Sequence, residues 1–509
     1  MPADAMNSAP LSRMSSVSLV GAGPGDPGML TLNAVQCLAE ADVVLYDYLV
    51  NLQILDHAPA TAEKICLGRH GHSRIWTQDE INKQLVELAQ SGKRVVRLKG
   101  GDPSVFAHAA DESEALAKAG IDFQVIPGIT AAMAAGSCVG IPLTHRRFAS
   151  AVAFVTGCED PIKDDSTLDY DGLARFPGTL VVYMGVTTAS EWTSSLVAAG
   201  KPADTPAAIV RRVSCPDQLV IRCTLGEVAD QLAVEKKIRP PVIVILGEVA
   251  SLEEDLAWFH QRPLFGKTIL VTRALSQSRQ LVEQCVRLGA RVLVQPVIKI
   301  SALEEMSELD EVITRLDQFD WLVFSSRNGV HHFFERLLQT GHDPRALAGV
   351  KLATIGPGTS QALAEYHLMT DLQPQEYRAE ALAELLRPEA AAGKHFLLAR
   401  ASRGREVLAE TLGDAGGQVQ QVVVYHSTDV KDIDPAIEEE LEAGKVDWIT
   451  VSSSAIARSL VALLGDKLSN ASLASISPLT SATLKELGHT AAAEAGTYTM
   501  AGLVEALLG

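Results

Sequence analysis

Basic residues are in deficit. The 509-residue chain carries 44 Lys and Arg against 62 Asp and Glu, a net charge of −18. A general affinity for nucleic acid or anionic membrane needs a basic face, so this balance argues against both and leaves room only for a local basic cleft. Cysteine is sparse. Cys37, Cys66, Cys138, Cys158, Cys215, Cys223 and Cys285 are scattered, odd in number and form no CxxC pair. A disulfide framework or a structural zinc site is therefore not expected, and a reducing cytosol fits. No leucine-rich membrane span stands out. The longest uncharged run, 123–144, is built on alanine and broken by Pro127 and Pro142, so it reads as a buried loop and helix. Residues 1–16 lack the apolar core of an export signal and read as a loose tail. No GxxxxGK[ST] loop, Ser/His/Asp order, paired acid or metal-ligand cluster is visible.

What is present is an ordinary globular composition, 47% apolar and 21% charged, long enough for two to four domains. Residues 17–249 alternate β-rich runs with helical stretches. Strands are expected at 17–20, 41–47, 93–98, 123–127, 152–157, 179–185 and 241–249, with helices at 80–92 and 111–120, which predicts α/β layers. Segment 251–265, polar and then stopped by Pro263, reads as a linker between domains 17–250 and 266–509. The second half contains an internal duplication. GKTILVTRA (266–274) matches GKHFLLARA (393–401), FDWLVFSSRNG (319–329) matches VDWITVSSSAI (446–456), and LATIGPGTSQAL (352–363) matches LASISPLTSATL (473–484). Two similar α/β lobes facing each other across a cleft follow from that repeat.

GAGPGDPG (21–28) follows a strand but fails the GxGxxG dinucleotide pattern, because Asp26 stands where the third glycine belongs and Pro24 has no N–H to offer a pyrophosphate. The turn instead lets the backbone pass close to another element or a flat ligand. In KGGDP (99–103), Asp102 can accept hydrogen bonds from a ligand or cap the next helix. With VIPGITAA (125–132) and VYMG (182–185), four glycine-marked strand ends suggest a ligand crevice at the strand C-termini. In the second half, Ser325, Ser326, Ser452, Ser453, Ser454, Thr359 and Thr480 open helices after strands. Arg273, Arg327, Arg400, Arg403 and Arg405 sit in the equivalent turns. Each hydroxyl alone is a plain helix cap and each arginine alone a solvated charge; repeated across two lobes, they suit a ligand with many carboxylates or phosphates. His331 and His332, adjacent on one helix, read as surface or partly buried residues, and 433–442 as a solvated acidic helix face.

GAGPGDPGMLT (21–31), ADVVLYDYLV (41–50), RVVRLKGGDP (94–103), VIPGIT (125–130), GIPLTHR (140–146) and YMG (183–185) together resemble the uroporphyrinogen-III C-methyltransferases, tetrapyrrole methylases that use S-adenosylmethionine. The resemblance implies that the methyl donor lies against Pro24, Gly100, Gly101, Asp102, Val105, Thr130, Ala131, Met184 and Val213. It also implies that Asp47 is the base; read alone, Asp47 is a strand-end carboxylate meeting solvent. Arg69, in LGRH, stands where the family has a lysine proposed as proton donor, and an arginine binds carboxylates but is a poor acid. Segment 104–112 (SVFAHAADE), Tyr48 and Arg147 also depart from the pattern, on the tetrapyrrole side more than the donor side.

ILVTRA (269–274), FSSRNGV (324–330), TIGPGTSQAL (354–363), LARASRGREVL (398–408), VVVYHS (422–427) and ISPLTSATL (476–484) resemble uroporphyrinogen-III synthase. That family implies one lobe of 266–298 with 427–509 and another of 299–426, and the octacarboxylate hydroxymethylbilane as substrate. It implies Tyr425 as donor to the leaving hydroxyl, with Thr359 and Thr480 binding carboxylates beside Arg273, Ser325, Ser326, Arg327, Arg400 and Ser453. The expectation is a bifunctional cytoplasmic enzyme: an α/β methylase domain followed by a two-lobed α/β synthase, making uroporphyrinogen III and methylating it to precorrin-2 for sirohaem or corrinoid synthesis. A homodimer through the methylase half is also implied. The rival readings are a synthase with a degenerate donor-binding or dimerising domain, and a carboxylate-binding protein, which the lack of an export signal disfavours.

Overall fold

The computed structural model describes residues 16–68, 76–159, 167–252 and 256–509. It forms two compact units, the first holding the chain up to Lys267 together with Glu283–Arg291, the second Thr268–Val282 and Val292–Gly509.

The first unit contains two five-stranded sheets. Val17–Gly21 (β1), Val43–Tyr46 (β2), Glu63–Cys66 (β3), Val95–Lys99 (β4) and Phe123–Ile126 (β5) form a parallel sheet in the order β3-β2-β4-β1-β5. Val152–Thr156 (β6), Thr179–Tyr183 (β7), Pro206–Arg211 (β8), Leu219–Thr224 (β9) and Val242–Leu246 (β10) form the second, ordered β6-β7-β10-β8-β9 and antiparallel except for the β6–β7 pair. All seven strands expected in this half are there. The three unexpected ones have weak spellings. β3 opens on the exposed, charged Glu63 and Lys64, β8 on Pro-Ala-Ala, and β9 carries Arg222 and Cys223 on a partly exposed strand. The helix expected at 80–92 spans Gln78–Gln90, started two residues earlier by a capping box between Thr77 and Glu80.

The uncharged run becomes β5, a turn and the helix Ala131–Cys138, whose Ala132, Ala134, Ala135 and Cys138 are buried. Among the described residues no helix is long and apolar enough to cross a membrane. The described part of the expected linker packs onto the first unit. Phe259 is fully buried in the core of the second sheet, the Arg262 guanidinium lies 3.5 Å from its ring centroid, and the Trp258 indole donates to the Ser137 carbonyl at 2.9 Å.

The second unit is built from Thr268–Val271 (β11), Arg291–Val294 (β12), Ile298–Ser301 (β13), Trp321–Phe324 (β14), Lys351–Thr354 (β15), His395–Ala401 (β16), Gln418–Asp429 (β17), Trp448–Val451 (β18), Ser472–Ser475 (β19) and Ala493–Glu494 (β20). They form two sheets, β12-β11-β18-β19-β20 and β13-β17-β16-β14-β15. The duplicated segments take the same places in each: β11-β18-β19 in one lobe and β16-β14-β15 in the other. The repeat is visible down to single carboxylates. Asp320 and Asp447, each before the tryptophan of a repeat, accept the backbone N–H of His395 and Thr268 respectively, both at 2.8 Å. The lobes also share contacts. Asp429, at the end of β17, accepts from Arg403 at 2.6 Å and from Ser459 at 2.5 Å, and Gln277 donates to Asn328 at 3.0 Å.

The His395 N–H, with the Lys394 ammonium, holds the Asp320 carboxyl below the usual carboxylate range. A carboxyl lowered on folding stabilises above its unfolded value of about 3.9, and that contribution is lost as pH falls through the lowered value. Asp320→Asn should therefore destabilise the second unit at neutral pH and progressively less as the pH is lowered towards about 3. Urea midpoints across that range check this; a deficit independent of pH would contradict it.

Candidate functional site

In the first unit the strand ends converge. The turns after β1, β4 and β5 pack backbone on backbone, and only glycine fits. A Cβ on Gly21 would stand 2.5 Å from the Gly128 nitrogen, and one on Gly128 would stand 2.2 Å from the Gly101 oxygen. Asp102 fastens the same place, accepting the N–H of Ser104 at 2.7 Å and of Gly128 at 2.9 Å. Its carboxylate thus serves as a turn cap. Above these turns lies a cavity of about 440 Å³. Its lining includes Pro24, Gly100, Gly101, Asp102, Val105, Thr130, Ala131, Met184 and Val213, together with Tyr48, Leu49, Tyr183 and Arg212.

Tyr183 ties the two sheets together here. Its hydroxyl lies 2.7 Å from Thr130 Oγ1 and accepts the Ala132 N–H at 2.9 Å. Burial pushes its pKa up, so it stays a phenol. Phe106 and Met184 also border a larger trough of about 1250 Å³, walled by Val125, Phe154 and Phe176 and edged by His108. Phe106, His108, Met184 and Arg212 all have left-handed backbone, with φ of 53, 55, 54 and 48°. Asp47, at the end of β2, accepts from Arg97 at 2.6 Å and directly precedes the cavity residues Tyr48 and Leu49. Arg69 lies outside the described residues.

In the second unit the Tyr425 hydroxyl lies 3.0 Å from Ser326 Oγ, which also accepts the Gly329 N–H and so caps its helix. The His332 imidazole stacks on the Tyr425 ring, centroids 5.4 Å apart and planes 20° apart. Burial lowers the His332 pKa, keeping the ring neutral. Arg273 donates to Gln277 at 2.8 Å, and among the described residues no carboxylate pairs with it. Burial, and then Arg327, disfavour its charge, with Tyr425 acting the other way. Arg400, its counterpart in the duplication, is tied to Glu406 and Gln421.

Two family descriptions match the chain. "Tetrapyrrole (Corrin/Porphyrin) Methylases" covers residues 16–229 and "Uroporphyrinogen-III synthase HemD" covers 279–505. The porphyrin biosynthesis protein HemD of Ruminiclostridium josui is 34% identical over 450 residues, 88% of this chain and 89% of that protein. The chain belongs to this family of fused tetrapyrrole methylases and uroporphyrinogen-III synthases. It is thus a two-domain enzyme of tetrapyrrole biosynthesis. The siroheme synthase of Sodalis glossinidius is 48% identical over 261 residues, 51% of this chain, and the chain spans 54% of its length. A solved uroporphyrin-III C-methyl transferase from Thermus thermophilus, complexed with S-adenyl homocysteine, is 40% identical, with a TM-score of 0.40, over 46% of this chain and 98% of that one.

In the methylase domain the nine residues singled out for the donor line one cavity. Tyr183 and Arg212 were missed; Tyr183 sits in VYMG beside the chosen Met184, but nothing in the spelling says which side chain turns inward. In the synthase domain the structure joins Arg273, Ser326, Arg327 and Tyr425 around one patch. Ser325 is exposed, and Ser453 caps its helix by accepting the Ile456 N–H. Thr359 and Thr480 are only 4% and 2% exposed, and Arg400 is held by its own lobe. His332 was missed because adjacent histidines gave no hint of the ring it stacks on.

Tyr183→Phe would leave the Ala132 N–H and the Thr130 hydroxyl without their shared partner. It should cost the methylase domain about 1–3 kcal/mol, read as a lowered denaturant midpoint. An unchanged midpoint would mean that the hydroxyl does not tie the sheets.

Proposed function

We propose that the synthase domain cyclises hydroxymethylbilane to uroporphyrinogen III and that the methylase domain converts this product to precorrin-2 with S-adenosylmethionine. One observation carries the methylase half: motif residues from separate turns of two sheets line a single cavity, which borders a trough with space for a flat macrocycle. The cavity volume falls in the usual range for small-molecule ligands. Glycine backbone and apolar side chains suit an adenosyl group, and Tyr183, Thr130 and Asp102 fix the walls.

The donor supplies an electrophilic methyl group on a sulfonium. The sulfur–methyl bond breaks as the new carbon–carbon bond forms at an electron-rich pyrrole carbon, and a proton must then leave the macrocycle. Asp47 is the carboxylate assigned to take it, held by Arg97 at the end of β2. Positioning supplies most of the acceleration, since the reacting carbon and the sulfonium need only be aligned and kept from water.

In the synthase domain the substrate's own pyrroles expel the hydroxyl. Tyr425 donates the proton that makes it water, with Ser326 orienting the phenol. Arg273 is a partly buried cation with no acidic partner among the described residues, and a substrate carboxylate supplies one. Arg400, already neutralised, is not needed for that contact. In this reading the seven free cysteines fit a cytosolic protein, and the methylase domains pair as a homodimer.

Hydroxymethylbilane and S-adenosylmethionine incubated with the full chain should give a product heavier than uroporphyrinogen III by two CH2 units, two methyl groups gained and two protons lost, by mass spectrometry. Unmethylated uroporphyrinogen III as the sole product would leave a synthase with an inactive methylase domain. Tyr425→Phe should slow cyclisation by about 100-fold or more, the usual scale for a lost general acid; a wild-type rate would remove Tyr425 from the reaction.

A further inference from the structure

A dense charge cluster is buried beside the first sheet. Arg97 and Lys99 alternate on β4, so both side chains leave the same face of the central strand of the first sheet. Each residue is 2% exposed. Glu112, in the first turn of the helix Ala109–Lys118, is fully buried between them. A single oxygen, Glu112 Oε1, accepts from Arg97 Nε at 2.9 Å and from Lys99 Nζ at 2.6 Å. Its other oxygen, Oε2, is buried with no partner among the described residues. Arg97 also donates from Nη1 to the Leu98 carbonyl at 3.2 Å and from Nη2 to Asp47 Oδ1 at 2.6 Å.

A buried ion network is a poor device for stability, because desolvating the charges offsets most of their attraction. An apolar Val or Leu would suit both strand positions better. Lys99 shows the strain: burial and the neighbouring Arg97 work against its ammonium, and Glu112 works for it. Two cations face two carboxylates, and only one member of the cluster has appreciable surface. The Asp47 side chain is 31% exposed, against 3% for Arg97 and none for Glu112. The cluster surfaces at Asp47, the residue before Tyr48 and Leu49 of the cavity lining.

We propose that Glu112, Arg97 and Lys99 are positioning residues that hold the Asp47 carboxylate in one orientation at the edge of the donor cavity. Glu112 fixes the Arg97 guanidinium through Nε, and Lys99 fixes Glu112. Arg97 can then present Nη2 to Asp47 without rotating. The inference rests on the reading of Asp47 as the base.

A double-mutant cycle on the full-length protein tests it, with methylation of uroporphyrinogen III as the rate and binding of S-adenosylhomocysteine by calorimetry as the folding control. Asp47→Asn, measured first, should lower kcat; if it does not, Asp47 is not the base and the scaffold has nothing to position. Glu112→Gln should then lower kcat about ten-fold, with donor KM and S-adenosylhomocysteine affinity unchanged. In the Asp47→Asn background the same change should cost less than about two-fold, because a residue acting through Asp47 has no further effect once Asp47 is gone. Arg97→Lys, which keeps the charge but not the forked geometry, should fall between wild type and Glu112→Gln, and it replaces that variant in the cycle if Glu112→Gln no longer binds S-adenosylhomocysteine. A wild-type kcat in Glu112→Gln, or losses that multiply in the double variant, would overturn the proposal while leaving Asp47 as the base.

Discussion

The methylase domain depends on a contact between backbones. Three turns, after β1, β4 and β5, meet at Gly21, Gly101 and Gly128, with no space for a side chain on Gly21 or Gly128. That contact sets the floor of the cavity. Pro24, Asp102 and Thr130 extend from these turns and take their positions from it. Asp102 then locks the arrangement by accepting N–H groups from two of the turns. The glycines seen in the sequence therefore serve close approach, as their failure to fit a dinucleotide pattern implied.

The synthase domain solves a different problem with a duplicated part. Each lobe repeats the same strand order and the same aspartate-to-backbone contact. The two copies differ at their matching arginines. Arg273 and Arg400 occupy matching places, yet Arg400 is neutralised by Glu406 while Arg273 is left without an acid among the described residues. Within one repeated scaffold, one arginine is thus paired with an acid of its own lobe and its counterpart, among the described residues, is not.

Much of this was readable from the chain. Strands rich in Val and Ile, such as β1, β7 and β10, announced themselves, and so did the internal repeat. β8 did not, because its burial comes from position between two strands and its opening Pro-Ala-Ala carries little β signal. The donor-side residues could be named because they lie in turns whose glycines are spelled out. Thr359 and Thr480 lie in the first turns of their helices, as their place after the repeated strands suggests, but their burial was not legible in the sequence. Arg97 reads as part of a strand, Lys99 as the start of a glycine turn and Glu112 as part of a helix, since nothing local reports that the helix lays its acid between two strand cations.

Seven non-glycine residues among those described have left-handed backbone, and four of them, Phe106, His108, Met184 and Arg212, border the cavity or the trough. Each such residue costs about 1 kcal/mol or more, and surrounding packing must sustain it. The rim is therefore rigid and shaped by folding itself. A ligand meets a mould already set, so its affinity is not diminished by ordering the walls, and the selectivity of the opening is a property of the empty protein.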